Sequence, residues 1–167
     1  RTALRLTNDY GLPPAEVGDF NQVPALTLSR CIAGPLAIDT GYVLALTDSI
    51  VDAGSGIAAP APGGLAIGAA SGDPELEWGP DLVIQGLTVF GRTRVQTARG
   101  ESGIFVHRLE VHDNQDSHAL EVSVGQRGSC LKFCCFSAEH DRLPQHFGCV
   151  LAGEARLRFT SEWFGRP

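Results

Sequence analysis

Leu26-Thr27-Leu28-Ser29-Arg30-Cys31-Ile32 is echoed eighteen positions later by Leu44-Ala45-Leu46-Thr47-Asp48-Ser49-Ile50. A third copy, Leu82-Val83-Ile84-Gln85-Gly86-Leu87-Thr88, follows an insertion. Aligned, the copies form columns. Leu26, Leu44 and Leu82 share one, and Leu28, Leu46 and Ile84 share another. Cys31, Ser49 and Leu87 form a third, followed by Ile32, Ile50 and Thr88. Aliphatic residues at alternate positions predict half-buried strands. Like residues in like columns predict strands lying parallel on their predecessors. A period near eighteen residues is too short for a strand–helix–strand crossover, which needs about 30. A parallel β-helix fits instead, its strands turning through short bends and stacking coil upon coil.

The rest of the chain extends this pattern. Leu36-Ala37-Ile38 and Arg94-Val95-Gln96 read as further strands of the first and third coils, with Gly34, Gly41, Gly91, Gly100 and Gly103 at corners. Residues 53–80 form a long insertion rich in Gly, Pro and Ala, with Leu65-Ala66-Ile67 as a strand inside it. Leu109-Glu110-Val111, Leu120 to Val124, Leu131-Lys132-Phe133 and Leu157-Arg158-Phe159 are predicted strands. Residues 137–145 are a polar loop or short helical turn. Residues 1–22, with a strand at Ala3 to Thr7 and turn chemistry at Gly11-Leu12-Pro13-Pro14, are expected to cap the N-terminal end of the stack, since an end coil lacks a neighbour. The expected domain is a single all-β, right-handed parallel β-helix over 23–167, of five or six coils, with loop insertions and that cap.

Composition narrows the function. A formal charge of -6 with pI near 5.3 argues against nonspecific nucleic-acid binding. No stretch reaches the roughly 18 apolar residues of a membrane-spanning helix. The sequence holds 20 Gly and 10 Pro, as a chain of many turns would, and no Met even at position 1, which reads as a domain from a longer chain. Five cysteines, an odd number, favour free thiols in a reducing cytoplasm, with an extracellular setting as the alternative.

Three clusters are candidates for chemistry. Asp113, Asp116 and Glu121 would be the carboxylates of a polysaccharide lyase or glycoside hydrolase, if neighbouring coils brought them together. His107, His112 and His118 lie among them and could supply metal ligands, although the spacing matches no metal motif. An exposed loop would have the same composition. Cys130, Cys134 and Cys149 could bind zinc, or Cys130 and Cys149 could form a disulfide. Leu131, Phe133 and Phe136 around them favour buried free thiols. Arg30 beside Asp48 predicts an ion pair between coils. Trp163-Phe164 is the candidate apolar contact for a partner. The expected site assignment is therefore no catalytic residue, no metal and no cofactor, with these clusters as alternatives.

Leu87-Thr88-Val89-Phe90-Gly91-Arg92-Thr93-Arg94-Val95, joined to the first two repeats, then Ser102 and Phe105, then Ser129-Cys130-Leu131-Lys132-Phe133 and Cys149, resembles a bacterial group of right-handed parallel β-helix proteins. That group is associated with phage-tail-like and contractile injection particles. The resemblance covers 23–167. Residues 112–128 are longer than the group's pattern, the loop before Cys149 keeps only Pro144, and the group's chains run on past Pro167. The resemblance implies a non-enzymatic structural and interaction module of a larger bacterial protein, held by protein partners in a cytoplasmic assembly or particle. It supplies no catalytic residues. A carbohydrate-binding or polysaccharide-cleaving β-helix is the alternative function.

Overall fold

The computed structural model describes residues 4–7, 24–54, 64–112, 129–141, 146–155 and 157. Within them the chain is all-β. Thirteen strands join one sheet, every pairing is parallel, and the sheet curls into a half-barrel. The strands are β1 (Leu4–Leu6), β2 (Ala25–Ser29), β3 (Ile32–Ala33), β4 (Leu36–Ile38), β5 (Val43–Asp52), β6 (Leu65–Gly68) and β7 (Gly79–Phe90). They continue as β8 (Arg92–Phe105), β9 (Leu109–Val111), β10 (Cys130–Lys132), β11 (Cys135–Phe136), β12 (His146–Phe147) and β13 (Val150–Leu151). The helical elements described in full are a 3-10 turn at Glu139–Asp141 and one α turn at Ala152–Ala155. Among the described residues no helix is long and apolar enough to cross a membrane.

The repeat columns are the strand register. Leu26 pairs with Leu44 and Leu44 with Leu82; Leu28 pairs with Leu46 and Leu46 with Ile84; Ile32 pairs with Ile50 and Ile50 with Thr88. The register continues beyond the three copies. β8 lies on β7, β10 and β11 lie on β8, and β12 and β13 follow, so six rows stack in order.

A single column bends every row. Arg30, Asp48, Ser102 and Phe133 have φ of 50, 46, 60 and 51°, and Gly86 and Gly148 have 74 and 62°. These six residues occupy equivalent positions in the six rows. Every non-glycine residue with positive φ among the described residues stands in this column. A left-handed residue costs an L side chain roughly 1–2 kcal/mol, so something must repay that strain. The burial pattern shows what does. β5 buries Leu44 and Leu46, exposes Asp48, then buries Ser49 and Val51. Strict alternation would have turned Ser49 and Val51 outward. The extra left-handed residue shifts the phase by one, and both arms of the row face the same core. β7 does the same, burying Leu82 and Ile84 before Gly86, then Leu87 and Val89 after it.

The two arms of the rows make two strand sets, and a third set packs over this core. β1, β4, β6, the first part of β8 and β9 are neighbours in that order, through pairs such as Leu4 with Leu36, Leu36 with Ile67 and Thr93 with Leu109. One core cluster joins Leu36, Ile38, Ile67, Val95 and Leu109 from this set to Leu44, Leu82, Val51, Val89 and Phe136 from the bent rows. Each such Leu, Ile, Val or Phe contributes about 1.5–3 kcal/mol on full burial. Phe105 and Phe136, from successive rows, stack with ring centroids 6.1 Å apart and planes 9° from parallel.

Several expectations from the sequence are met. β6 lies inside the long insertion, Leu109–Val111 is a strand, and 139–141 is a helical turn. The insertion ends earlier than expected, because Gly79 and Pro80 begin β7. Phe133 is not part of β10 but its bend residue. Arg30 and Asp48 sit in adjacent rows yet form no ion pair with any described residue. Of the expected N-terminal cap, β1 is described and pairs with β4; 8–22 lie outside the described residues, as do Leu120 to Val124 and 158–159.

Candidate binding groove

Three polar arrangements grow out of this framework. The first lies on the outer side of the third strand set. Arg92, Arg94 and Gln96 alternate with the buried Thr93 and Val95 along β8, so they share one outward face. Arg94 pairs in register with Glu110 of β9. Glu110 is only 8% exposed and gathers three guanidinium groups: Arg92 at 3.1 Å, Arg94 at 3.5 Å and Arg108 at 3.2 Å. Arg92 also makes a two-pronged contact with Glu75, at 2.6 and 2.9 Å. That contact holds the Glu75 carboxyl below the usual carboxylate range and pushes the Arg92 guanidinium further up from its ordinary value. The Arg94 guanidinium lies 3.8 Å from the centre of the Trp78 ring, and its Nε donates to the Glu77 carbonyl at 3.0 Å. These contacts fasten residues 75–78 over the strand set. At the other end of the same loop, Asp39 accepts from the Ala70 and Ser71 N–H groups, both at 2.8 Å, and Arg5 donates to the Ala70 carbonyl.

The second arrangement is a ladder at the inner corner, one residue after each bend. Ser49 Oγ accepts from the Cys31 N–H at 3.3 Å and donates to the Thr47 carbonyl at 2.7 Å. Cys134 Sγ accepts from the Gly103 N–H at 3.2 Å and donates to the Lys132 carbonyl at 3.1 Å. Cys149 Sγ accepts from the Cys134 N–H at 3.3 Å. At these three steps a small polar side chain accepts from the backbone of the preceding row. The bend interrupts the strand ladder there, and buried backbone donors need partners. Burial pushes the Cys134 thiol up to about 12, so it stays protonated and unreactive at neutral pH. Burial also raises Cys135.

The third arrangement is a groove of ≈ 560 Å³ on the outer face of the rows before the bend. It crosses β5, β7, β8 and β10, with Thr47, Gln85, Arg99, Glu101, Cys130 and Lys132 among its lining residues. Val83, Arg99 and Cys130 form one register column, and Thr47, Gln85, Glu101 and Lys132 form the other. Arg99, Glu101 and Lys132 make no ion pair and no side-chain hydrogen bond with any described residue. Arg99 Nε is buried without a partner. Gly100, between Arg99 and Glu101, lets the floor form. It has φ 124°, and a Cβ there would sit 1.9 Å from the Ile84 carbonyl oxygen.

The candidate residues read from the sequence disperse. His107 Nδ1 accepts from the Gly91 N–H at 3.0 Å, 16 residues away in sequence. His112 lies against the edge of Trp78, with centroids 5.1 Å apart, and meets Gln96 at 3.1 Å. His118, Asp113, Asp116, Glu121, Trp163 and Phe164 lie outside the described residues. Cys134 and Cys149 meet in the corner ladder, while Cys130 lies across the sheet in the groove. All five cysteines are free thiols, which removes the Cys130–Cys149 disulfide alternative. Among the described residues no group of three or more His, Cys, Asp or Glu could hold a metal ion. Sequence reasoning missed the groove residues. Their column runs from Gln85 to Glu101 and then Lys132, three different residue types, so no repeat in the sequence marks it.

Comparison of the chain with models of protein families, with curated proteins and with solved structures finds no match.

Proposed function

We propose that the chain is a right-handed parallel β-helix of about six coils that serves a larger bacterial protein as a non-enzymatic structural and interaction module, within a phage-tail-like or contractile injection particle. The observation that carries this reading is the bend column: six successive rows turn at equivalent positions, although the chain between them varies in length. Corner contacts between neighbouring rows span 18, 31 and 15 residues while the rows stay in register. A stack of this kind is quasi-one-dimensional and stiff, and it tolerates loops at its corners without losing register. Such a module presents partners with a fixed surface. The test is co-purification of the full-length protein, expressed with its neighbouring genes, followed by mass spectrometry. Recovery with sheath, tube or baseplate-like proteins supports the reading; recovery alone as a clean monomer overturns it.

A second reading, a carbohydrate-binding β-helix, is favoured by the groove. Its polar side chains form a track across four strands, and Arg99, Glu101 and Lys132 among them make no ion pair and no side-chain hydrogen bond with any described residue. Charged groups held on a rigid sheet without internal partners are pre-organised for an external one.

A further inference from the structure

We propose that the groove over β5, β7, β8 and β10 binds a short stretch of an anionic oligosaccharide, a chain of uronic acid residues laid across the strands. This rests on the carbohydrate-binding reading and names the ligand and its contacts.

The shape sets the direction. The groove crosses four parallel strands, about 14 Å at the usual strand spacing of ~4.8 Å. A ligand filling it is extended and runs along the stack. The floor is a sheet face whose strands pair with neighbours on both sides. A peptide adding as a strand needs a free edge, whereas here side chains must make the contacts.

The charge sets the chemistry. Arg99 and Lys132 bring two cations to the groove against the single carboxylate of Glu101 among its described lining residues. They do so on a chain of net charge -6. Arg99 Nε is already desolvated and has no partner, and a buried donor left unsatisfied carries a penalty. A carboxylate brought to the exposed part of the same guanidinium would offset that penalty with a charge-assisted contact. Glu101 and Gln85, one row apart, offer acceptors for ring hydroxyls.

The end of the track supplies the remaining feature of a sugar site. The column of Glu101 and Lys132 continues to Phe147 in the next row, which is 62% exposed. Phe133, at the bend beside it, is 66% exposed. A cationic track running into exposed aromatic faces matches a ligand that alternates carboxylates with the apolar C–H faces of sugar rings.

The experiment is calorimetric titration of the 167-residue chain at low salt with three probes: a galacturonate oligomer, its fully methyl-esterified form, and poly-glutamate of matched charge. The galacturonate oligomer should bind. Arg99→Gln and Lys132→Gln should each weaken that binding about tenfold, as loss of one charge-assisted contact would, with unchanged thermal melting. Equal affinity for the esterified oligomer overturns the anionic assignment but leaves the carbohydrate reading standing. Equal affinity for poly-glutamate overturns the sugar assignment. No binding of any probe overturns both.

Discussion

The outer side of the third strand set and the groove on the adjoining face carry the same raw material, arginines of β8 set beside glutamates, and use it in opposite ways. On the third set each charge has a partner. Glu110 pairs with three guanidinium groups, Arg92 adds Glu75, and Arg94 is covered by Trp78. Five residues beyond Arg94 on the same strand, Arg99 and Glu101 stand without partners among the described residues. The difference lies in what covers each face. Residues 69–78 fold back over the third set and bring Glu75, Trp78 and two backbone carbonyls to the arginines. The groove has no such cover among the described residues. An alternating charge pattern therefore marks an outward face. The elements packed over that face decide whether it serves stability or binding.

The largest expected effect comes from the groove floor. Gly100→Ala places a Cβ against the Ile84 carbonyl in a rigid sheet, at a φ that L residues rarely adopt. The expected loss is about 4 kcal/mol or more, seen as a collapse of the urea midpoint. A variant melting like the parent would mean that β7 and β8 do not approach as described.

The next effect tests the two faces directly. Glu110→Gln leaves three guanidinium groups without their shared carboxylate. Breaking a buried pair costs roughly 3–5 kcal/mol, and because Arg108 is half exposed the expectation is about 2–3 kcal/mol. Glu101→Gln, in the groove, should stay within about 0.5 kcal/mol. Equal losses at the two sites would erase the distinction between them.

The smallest effect is a pH dependence at Glu75. Its folded-state pKa is depressed, chiefly by the hydrogen bonds from Arg92. The contribution of the contact is therefore complete above the ordinary glutamate value of about 4.3 and is lost as pH falls through the lowered one. Trp78 lies three residues along the same loop, so its fluorescence should shift on acidification below that ordinary value. In Glu75→Gln that transition should be absent.

The repeat was legible because each column meets the same neighbours in every row. Leu26, Leu44 and Leu82 each fill the same interior position, and selection for that position repeats the residue type. The corner ladder was partly legible: Cys31 and Ser49 share a column, which continues through Leu87 and Gly103 to Cys134 and Cys149. Outward positions escape this constraint. Gln85, Glu101 and Lys132 share a column without resembling one another, so the groove had no repeating signal. The Glu110 cluster was hidden for another reason. Two of its three arginines lie 16 and 18 residues earlier, on a strand set whose register shifts between Leu65 and Ile67, and no repeat marks that set. The expected Arg30–Asp48 pair failed because adjacency in a column fixes only the backbone. Both residues are the left-handed corners of their rows, and adjacency there does not make their charged ends meet.

The single residue between β7 and β8 has a kinetic consequence. Gly91 joins two of the longest strands, and they pair at offsets of only 16 residues, from Gly79 with Val95 to Val89 with Phe105. The contact from Gly103 to Cys134 must close 31 residues, and the rows that pair at offsets of 15 join strands of only two or three residues. Loop-closure entropy rises with length, and pairings across short separations form early. Residues 79–105 are thus the natural nucleus of folding, from which the stack grows outward in both directions, with its terminal rows the last to form and the first to open.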